Sequence, residues 1–191
     1  DLDLDTYYKG KDIVQLDKDY FKSIGLIIDE MVAKSDLFEK KGKDQHAFCI
    51  DIDRDKQDVR VLCNVKDNNN WMNTMLHEFG HAVYTKNHDK TMPWSMKSAA
   101  QIFTTEAIAM MFGRFSSNPQ WMQDMLKISD AERDKRSGTA YKILRLEQLV
   151  FSSWSQVMYR FEKSMYENPD QDLNKLWWTL VEKYQLVKMP A

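Results

Sequence analysis

The sequence has 191 residues, enough to bury a sizeable core, with 27 Lys and Arg against 29 Asp and Glu and a formal net charge of −2. Acidic and basic residues are interspersed, which excludes a nucleic-acid footprint, and no apolar run approaches the roughly 18 residues of a membrane span. The acidic Asp1 to Asp5 stretch and Lys40, Lys41 and Lys43 read as solvated surface, and no signal peptide is present, which leaves cytoplasm and export both open.

In chain order, Asp17 is placed to cap a helix across Tyr20–Phe38, whose Phe21, Ile24, Ile28, Met31 and Val32 form an apolar face. Gln45–Asp53 and Asp58–Val65 read as two short strands joined by the polar Arg54-Asp55-Lys56-Gln57, an antiparallel hairpin. Cys49 and Cys63 flank that turn symmetrically; a disulfide between them and a pair of buried free thiols fit equally well. Asp67-Asn68-Asn69-Asn70 suits a turn and an N-cap. Beyond it Met72, Met75, Leu76, Phe79 and Val83 recur at spacings of three and four, which predicts a helix ended by Asn87-His88-Asp89.

Pro93 reads as a first-turn proline, and Ala99 to Gly113 forms a strongly apolar helix with a single carboxylate, Glu106, in its middle. Pro119 starts a short helix carrying Trp121, Met122 and Met125. Ser129-Asp130-Ala131-Glu132 is a capping box that opens a long helical stretch to about Tyr166, with Gly138 a point of interruption. Within it Ile143, Leu146, Leu149, Val150, Trp154, Val157, Met158 and Phe161 repeat at helical spacing, which predicts core packing. Asn168-Pro169-Asp170 breaks the chain before a last helix from Leu173 to Tyr184.

One of these helices carries His77-Glu78-Phe79-Gly80-His81, an HExxH pentapeptide. Residues four apart on a helix share a face, so His77 and His81 can reach one metal ion, with Glu78 alongside to take a proton from a water on it. That arrangement belongs to zinc peptidases, which need a third protein ligand and leave the fourth position open. An HExxHxxGxxH pattern fails, because Tyr84 and Asn87 stand where Gly and His are required. Glu106 is the other choice: a lone Glu in an apolar helix is costly unless it is paired with Arg or Lys or bound to a metal. We take it as the ligand.

His77 to His81 followed by Thr105-Glu106-Ala107-Ile108 resembles the gluzincin oligopeptidases, the group holding thimet oligopeptidase, oligoendopeptidase F and angiotensin-converting enzyme. The His81-to-Glu106 interval fits thimet-type enzymes, while the Glu-Ala-Ile wording and the upstream segment lean toward angiotensin-converting-enzyme-like bacterial peptidases. The likeness carries useful motifs from Gln45 to Phe112 and beyond that is a general match to a helical catalytic half. It implies a mainly α fold, a helical zinc-peptidase catalytic subdomain with a small antiparallel β-hairpin beside the HExxH helix. It also implies Zn2+ on His77, His81 and Glu106, with Glu78 as general base and then acid.

The same likeness implies that the strand edge pairs with an extended peptide, and His46-Ala47 matches a substrate-contacting pair; a surface or capping role fits His46 as well. This chain departs from the pattern at Met110, where the family places an Asp that supports a zinc-bound His. The family's oxyanion-stabilising Tyr and His follow the third ligand at an interval that puts them beyond Ala191. The chain starts at Asp1 without an initiating Met, and its relatives in the resemblance are several times longer. Residues 1–191 are therefore expected to be the zinc-binding catalytic portion of a larger metallopeptidase domain, completed by the remainder of the same polypeptide.

The expected function is hydrolysis of peptide bonds in short peptides, of the oligopeptidase or dipeptidyl carboxypeptidase type. The alternative is a non-catalytic zinc- or peptide-binding module degenerate from the same fold, against which the intact Glu78 speaks. A hydrolase acting on a non-peptide amide is a minor third reading.

Overall fold

Polar residues that cap, glycines that turn and apolar stripes that bury set out a mainly helical chain, which the computed structural model describes over residues 3–190. Its helices are α1 (Asp5–Tyr8), α2 (Ile13–Ser23), α3 (Asp29–Lys34), α4 (Asn69–Lys86), α5 (Ile102–Gly113), α6 (Pro119–Leu126), α7 (Asp130–Glu167) and α8 (Leu173–Gln185). An antiparallel hairpin of β1 (Phe48–Asp53) and β2 (Asp58–Leu62) lies between α3 and α4. This is the expected fold class. Residues Asp1–Lys135 and Arg136–Ala191 form two compact units.

In the first unit α4 is the central element. Its Met72, Met75, Leu76, Phe79 and Ala82 are fully buried, in one core with Phe21 of α2, Ile28 and Met31 around α3, Val59 and Val61 of β2, and Trp121 and Met122 of α6. Burying each of the Met, Leu, Ile, Val and Phe side chains among these contributes about 1.5–3 kcal/mol. Phe21 and Phe112 meet at 5.0 Å between ring centroids, and Tyr20 packs edge-on against Trp121 at 5.7 Å. The Tyr8 hydroxyl donates to the Ser116 carbonyl beneath this cluster.

The predicted helix across Tyr20–Phe38 is two helices. Asp12, not Asp17, caps α2, accepting from the Gln15 N–H at 3.0 Å, and Gly25 at φ +81° ends the first segment in a conformation that side chains resist. Asp17 instead lies within α2, 0% exposed, with no hydrogen-bond donor on either oxygen among the described residues. Burial raises its pKa well above the usual carboxylate range. The folded chain thus keeps a proton on Asp17 at pH values where the unfolded chain has lost it. Stability should then fall by about 1.4 kcal/mol per pH unit above about pH 4, until the folded-state pKa is passed. Replacing Asp17 by Asn should flatten that dependence. Thermal melts at about pH 5 and pH 7 should show wild type losing more stability than the variant, in which the raised Glu78 pKa still gives a loss; parallel slopes would contradict a neutral Asp17.

The hairpin follows the predicted turn, with Gln57 at φ +52° closing it. Cys49 pairs with Val61, so Cys63 falls two residues further on, just past the end of β2, and not opposite Cys49. Both cysteines are free thiols, with pKa values that burial pushes up to about 12. The outer edge of β2 is covered by the preceding loop: Cys63 N–H donates to Asp36 O at 2.9 Å and Asp36 N–H to Val61 O at 3.0 Å. Among the described residues β1 is therefore the strand with an open edge.

The turn of the hairpin is tied to the end of α4 and the loop after it. Gln57 donates to the His88 carbonyl at 3.0 Å, the buried Lys97 holds Asp55 at 2.8 Å, and the Arg54 guanidinium lies 4.6 Å over the Trp94 ring. Pro93 opens a 3₁₀ turn, Trp94–Met96, and not the following helix, which begins at Ile102.

The capping box at α7 is formed as predicted: Glu132 N–H donates to Ser129 Oγ at 3.2 Å, and Ser129 N–H to Glu132 Oε2 at 3.1 Å. The helix runs through Gly138 unbroken, since a helix interior tolerates one glycine at a cost of about 1 kcal/mol. In the second unit Phe161 of α7 meets Trp177 of α8 at 5.2 Å, and Asp172 caps α8 through the Lys175 N–H at 2.9 Å. The apolar stripe of α7 is not the core expected. Val157 is buried, but Leu146, Leu149, Val150 and Trp154 are exposed, because within this unit the short α8 meets the C-terminal part of the helix. No helix among the described residues is long and apolar enough to cross a membrane.

Candidate metal centre

The HExxH segment lies mid-way along α4. Asn68 caps that helix by accepting from Trp71 N–H at 2.8 Å, and the buried stripe of Met72, Met75, Leu76 and Phe79 fixes its rotation. That rotation leaves His77 and His81 half-buried on the adjoining face. Gly80 is where α5 comes closest: a Cβ there would lie 3.0 Å from the Ala109 backbone and 3.0 Å from the Phe112 ring. The glycine thus lets the two helices touch one residue before His81. A second close approach is held by Asn73, which donates to the Gly113 carbonyl at 2.8 Å.

This contact carries Glu106 of α5 to the two histidines. His77 Nε2 is 3.5 Å from Glu106 Oε1, and His81 Nε2 is 3.3 Å from Glu106 Oε2. Donor atoms of all three residues lie within 4.8 Å of one another. Two ligands held about 2.0–2.1 Å from a tetrahedral zinc ion stand about 3.3–3.4 Å apart, and the two His–Glu106 separations, each to a different carboxylate oxygen, are close to that distance. The donor set also fits the metal's chemistry. Burial, opposed by the Glu106 carboxylate, holds both imidazole pKa values below their ordinary value, which keeps them neutral with lone pairs to offer. The rings stand nearly perpendicular, at 83°, with centroids 4.8 Å apart.

Glu78 is 8% exposed. Its pKa is pushed up to about 7, by burial first and the Glu106 charge second, with the Cys49 backbone N–H acting the other way. That N–H brings β1 against the HExxH helix. His46 and Ala47 lie immediately before β1, His46 exposed and held by its own N–H to Asp44 Oδ1 at 2.9 Å, and Ala47 packed on the core. The structure thus brings together His77, Glu78, His81 and Glu106, while the His46-Ala47 pair stands on the approach to the β1 edge.

One residue of the site was not singled out by sequence reasoning. His81 Nδ1 lies 2.8 Å from the Thr105 hydroxyl. Its only signal in the sequence is a hydroxyl immediately before the candidate ligand Glu106. Met110, where an acidic supporter was missing, lies one turn further along α5.

Helices packed around an HExxH motif, a carboxylate from the next helix and a flanking hairpin define the gluzincin oligopeptidase fold. Solved structures show the same fold. PZ peptidase A, solved with an inhibitor, has 21% identity and a TM-score of 0.71, over 94% of this chain and 32% of its own. Two chains described as oligoendopeptidase F also match. One has 19% identity, a TM-score of 0.61 and coverage of 96% of this chain and 30% of its own. The other, from Bacillus anthracis str. Ames, has 20% identity, a TM-score of 0.60 and coverage of 95% and 30%. The chain spans about a third of the length of these structures. Among curated protein sequences none matches. Residues 4–191 match the profile of peptidase family M2, described as angiotensin-converting enzyme, and the chain belongs to that family.

Proposed function

We propose that this chain is the zinc-bearing portion of a metallopeptidase that hydrolyses peptide bonds of short peptides, as an oligopeptidase or a dipeptidyl carboxypeptidase. The observation that carries this reading is the convergence of His77 Nε2 and His81 Nε2 on the Glu106 carboxylate, at 3.5 and 3.3 Å, with Glu78 beside them. Membership of a peptidase family supports it. When bound there, zinc supplies Lewis-acid polarisation of the scissile carbonyl and lowers the pKa of water toward 7 from about 15.7.

The chain's own residues then have distinct tasks. His77, His81 and Glu106 hold the ion. Glu78, shielded from bulk water and with a pKa of about 7, takes a proton from the attacking water and returns it to the leaving amine. The open edge of β1 offers main-chain groups to an extended peptide, and His46 and Ala47 extend that line toward the substrate. The remainder of a longer polypeptide completes the site with its oxyanion-stabilising side chains.

Metal analysis with a peptide-cleavage assay on the zinc-loaded full-length enzyme tests the reading. One zinc per chain and chelator-sensitive cleavage are expected. A protein that binds no zinc and cleaves no peptide would leave the non-catalytic module standing instead.

A further inference from the structure

We infer that Thr105 is the positioning residue of the metal site, orienting the His81 ring through a neutral hydroxyl at its Nδ1. The inference rests on the metal-site reading above and deepens it. The two nitrogens of His81 face different partners: Nε2 is 3.3 Å from Glu106 Oε2, and Nδ1 is 2.8 Å from Thr105 Oγ1. A metal held at Nε2 would take that lone pair, leaving the ring proton on Nδ1 to be donated to the threonine oxygen. Histidine ligands are ordinarily oriented by such a second contact, most often a carboxylate or a backbone carbonyl.

Here the contact comes from the residue adjoining Glu106 in the same helical turn, so one backbone segment sets both the third ligand and the orientation of the second. The packing of Gly80 on Ala109 fixes the spacing of the two helices and hence the reach of the hydroxyl. A threonine adds no charge: beside a dication the ligand set keeps one carboxylate, where an acidic orienting group would supply two. Met110 offers only a thioether, a weak acceptor.

The test is zinc affinity, measured by competition with a chelating dye, in wild type, Thr105→Val and Thr105→Ser, together with nitrogen NMR of the His81 ring in the zinc-loaded wild type. Val keeps the branched shape and removes the hydroxyl, so its zinc dissociation constant should rise about tenfold or more, while Ser stays close to wild type. The wild-type ring should carry its proton on Nδ1. Val binding zinc as tightly as wild type, Ser failing as badly as Val, or a ring protonated on Nε2 in wild type would each overturn the inference. The ring measurement needs no variant, so a poorly folded Val protein does not rescue the idea. Wild type that binds no zinc would sink the metal-site reading along with this one.

Discussion

Glu78→Gln should reduce peptide hydrolysis by about 10²–10⁴-fold while leaving one zinc per chain. The substitution preserves the size and planarity of the side chain, and its amide oxygen can still accept from the Cys49 N–H that faces Glu78. What is lost is the ability to accept a proton. The site should lose nothing in folding, since the amide removes a buried carboxylate standing against the Glu106 charge. Metal analysis, a melting curve and initial rates on one peptide decide the matter. Turnover within a few-fold of wild type would remove Glu78 from the role of base, and zinc loss would make it a ligand instead.

Glu106→Gln should weaken zinc binding by about a hundredfold or more, a larger effect than the tenfold to hundredfold typical of changes behind the ligands. Both imidazoles point their Nε2 atoms at this one carboxylate, so its replacement takes the anionic member from a set of three. A bound ligand stabilises the folded state by RT ln(1 + [L]/Kd), so a chelator should lower the melting temperature of wild type more than that of the variant. Among the described residues the Glu106 carboxylate has no Arg or Lys ion pair; its partners are the two histidines. A variant that holds zinc as wild type does would remove Glu106 from the ligand set.

The elements legible in the sequence are those whose signal is local. Asn68 as a cap, the stripe from Met72 to Val83, the polar turn at 54–57, Pro119 at a first helical turn and the Ser129–Glu132 capping box each depend on residues within a turn or two, and each is found in place. Errors occur where two local signals competed or where packing decided. Asp17 has the chemistry of a cap but points inward from α2, because Asp12 already serves that end and Gly25 stops the helix early. The stripe of α7 has the period of a core helix, yet period reports which residues share a face and not what covers that face. The cysteines were symmetric about the turn in count but not in register, since strand pairing set Cys49 opposite Val61.

The candidate site divides in the same way. His77, Glu78 and His81 could be placed by sequence alone, because helix geometry puts residues four apart on one face whatever the rest of the chain does. Glu106 was legible as an oddity, a charge in an apolar helix, but its meeting with the histidines depends on how α5 lies against α4. Tertiary packing alone decided that: a glycine at position 80 with no side chain to hold the helices apart, and Phe112 filling the core behind it. The same packing brought the Thr105 hydroxyl to His81 and the Cys49 N–H to Glu78. Contacts between residues distant in sequence arise from the shape of buried surfaces, and that shape is a property of the assembled core, not of any one segment.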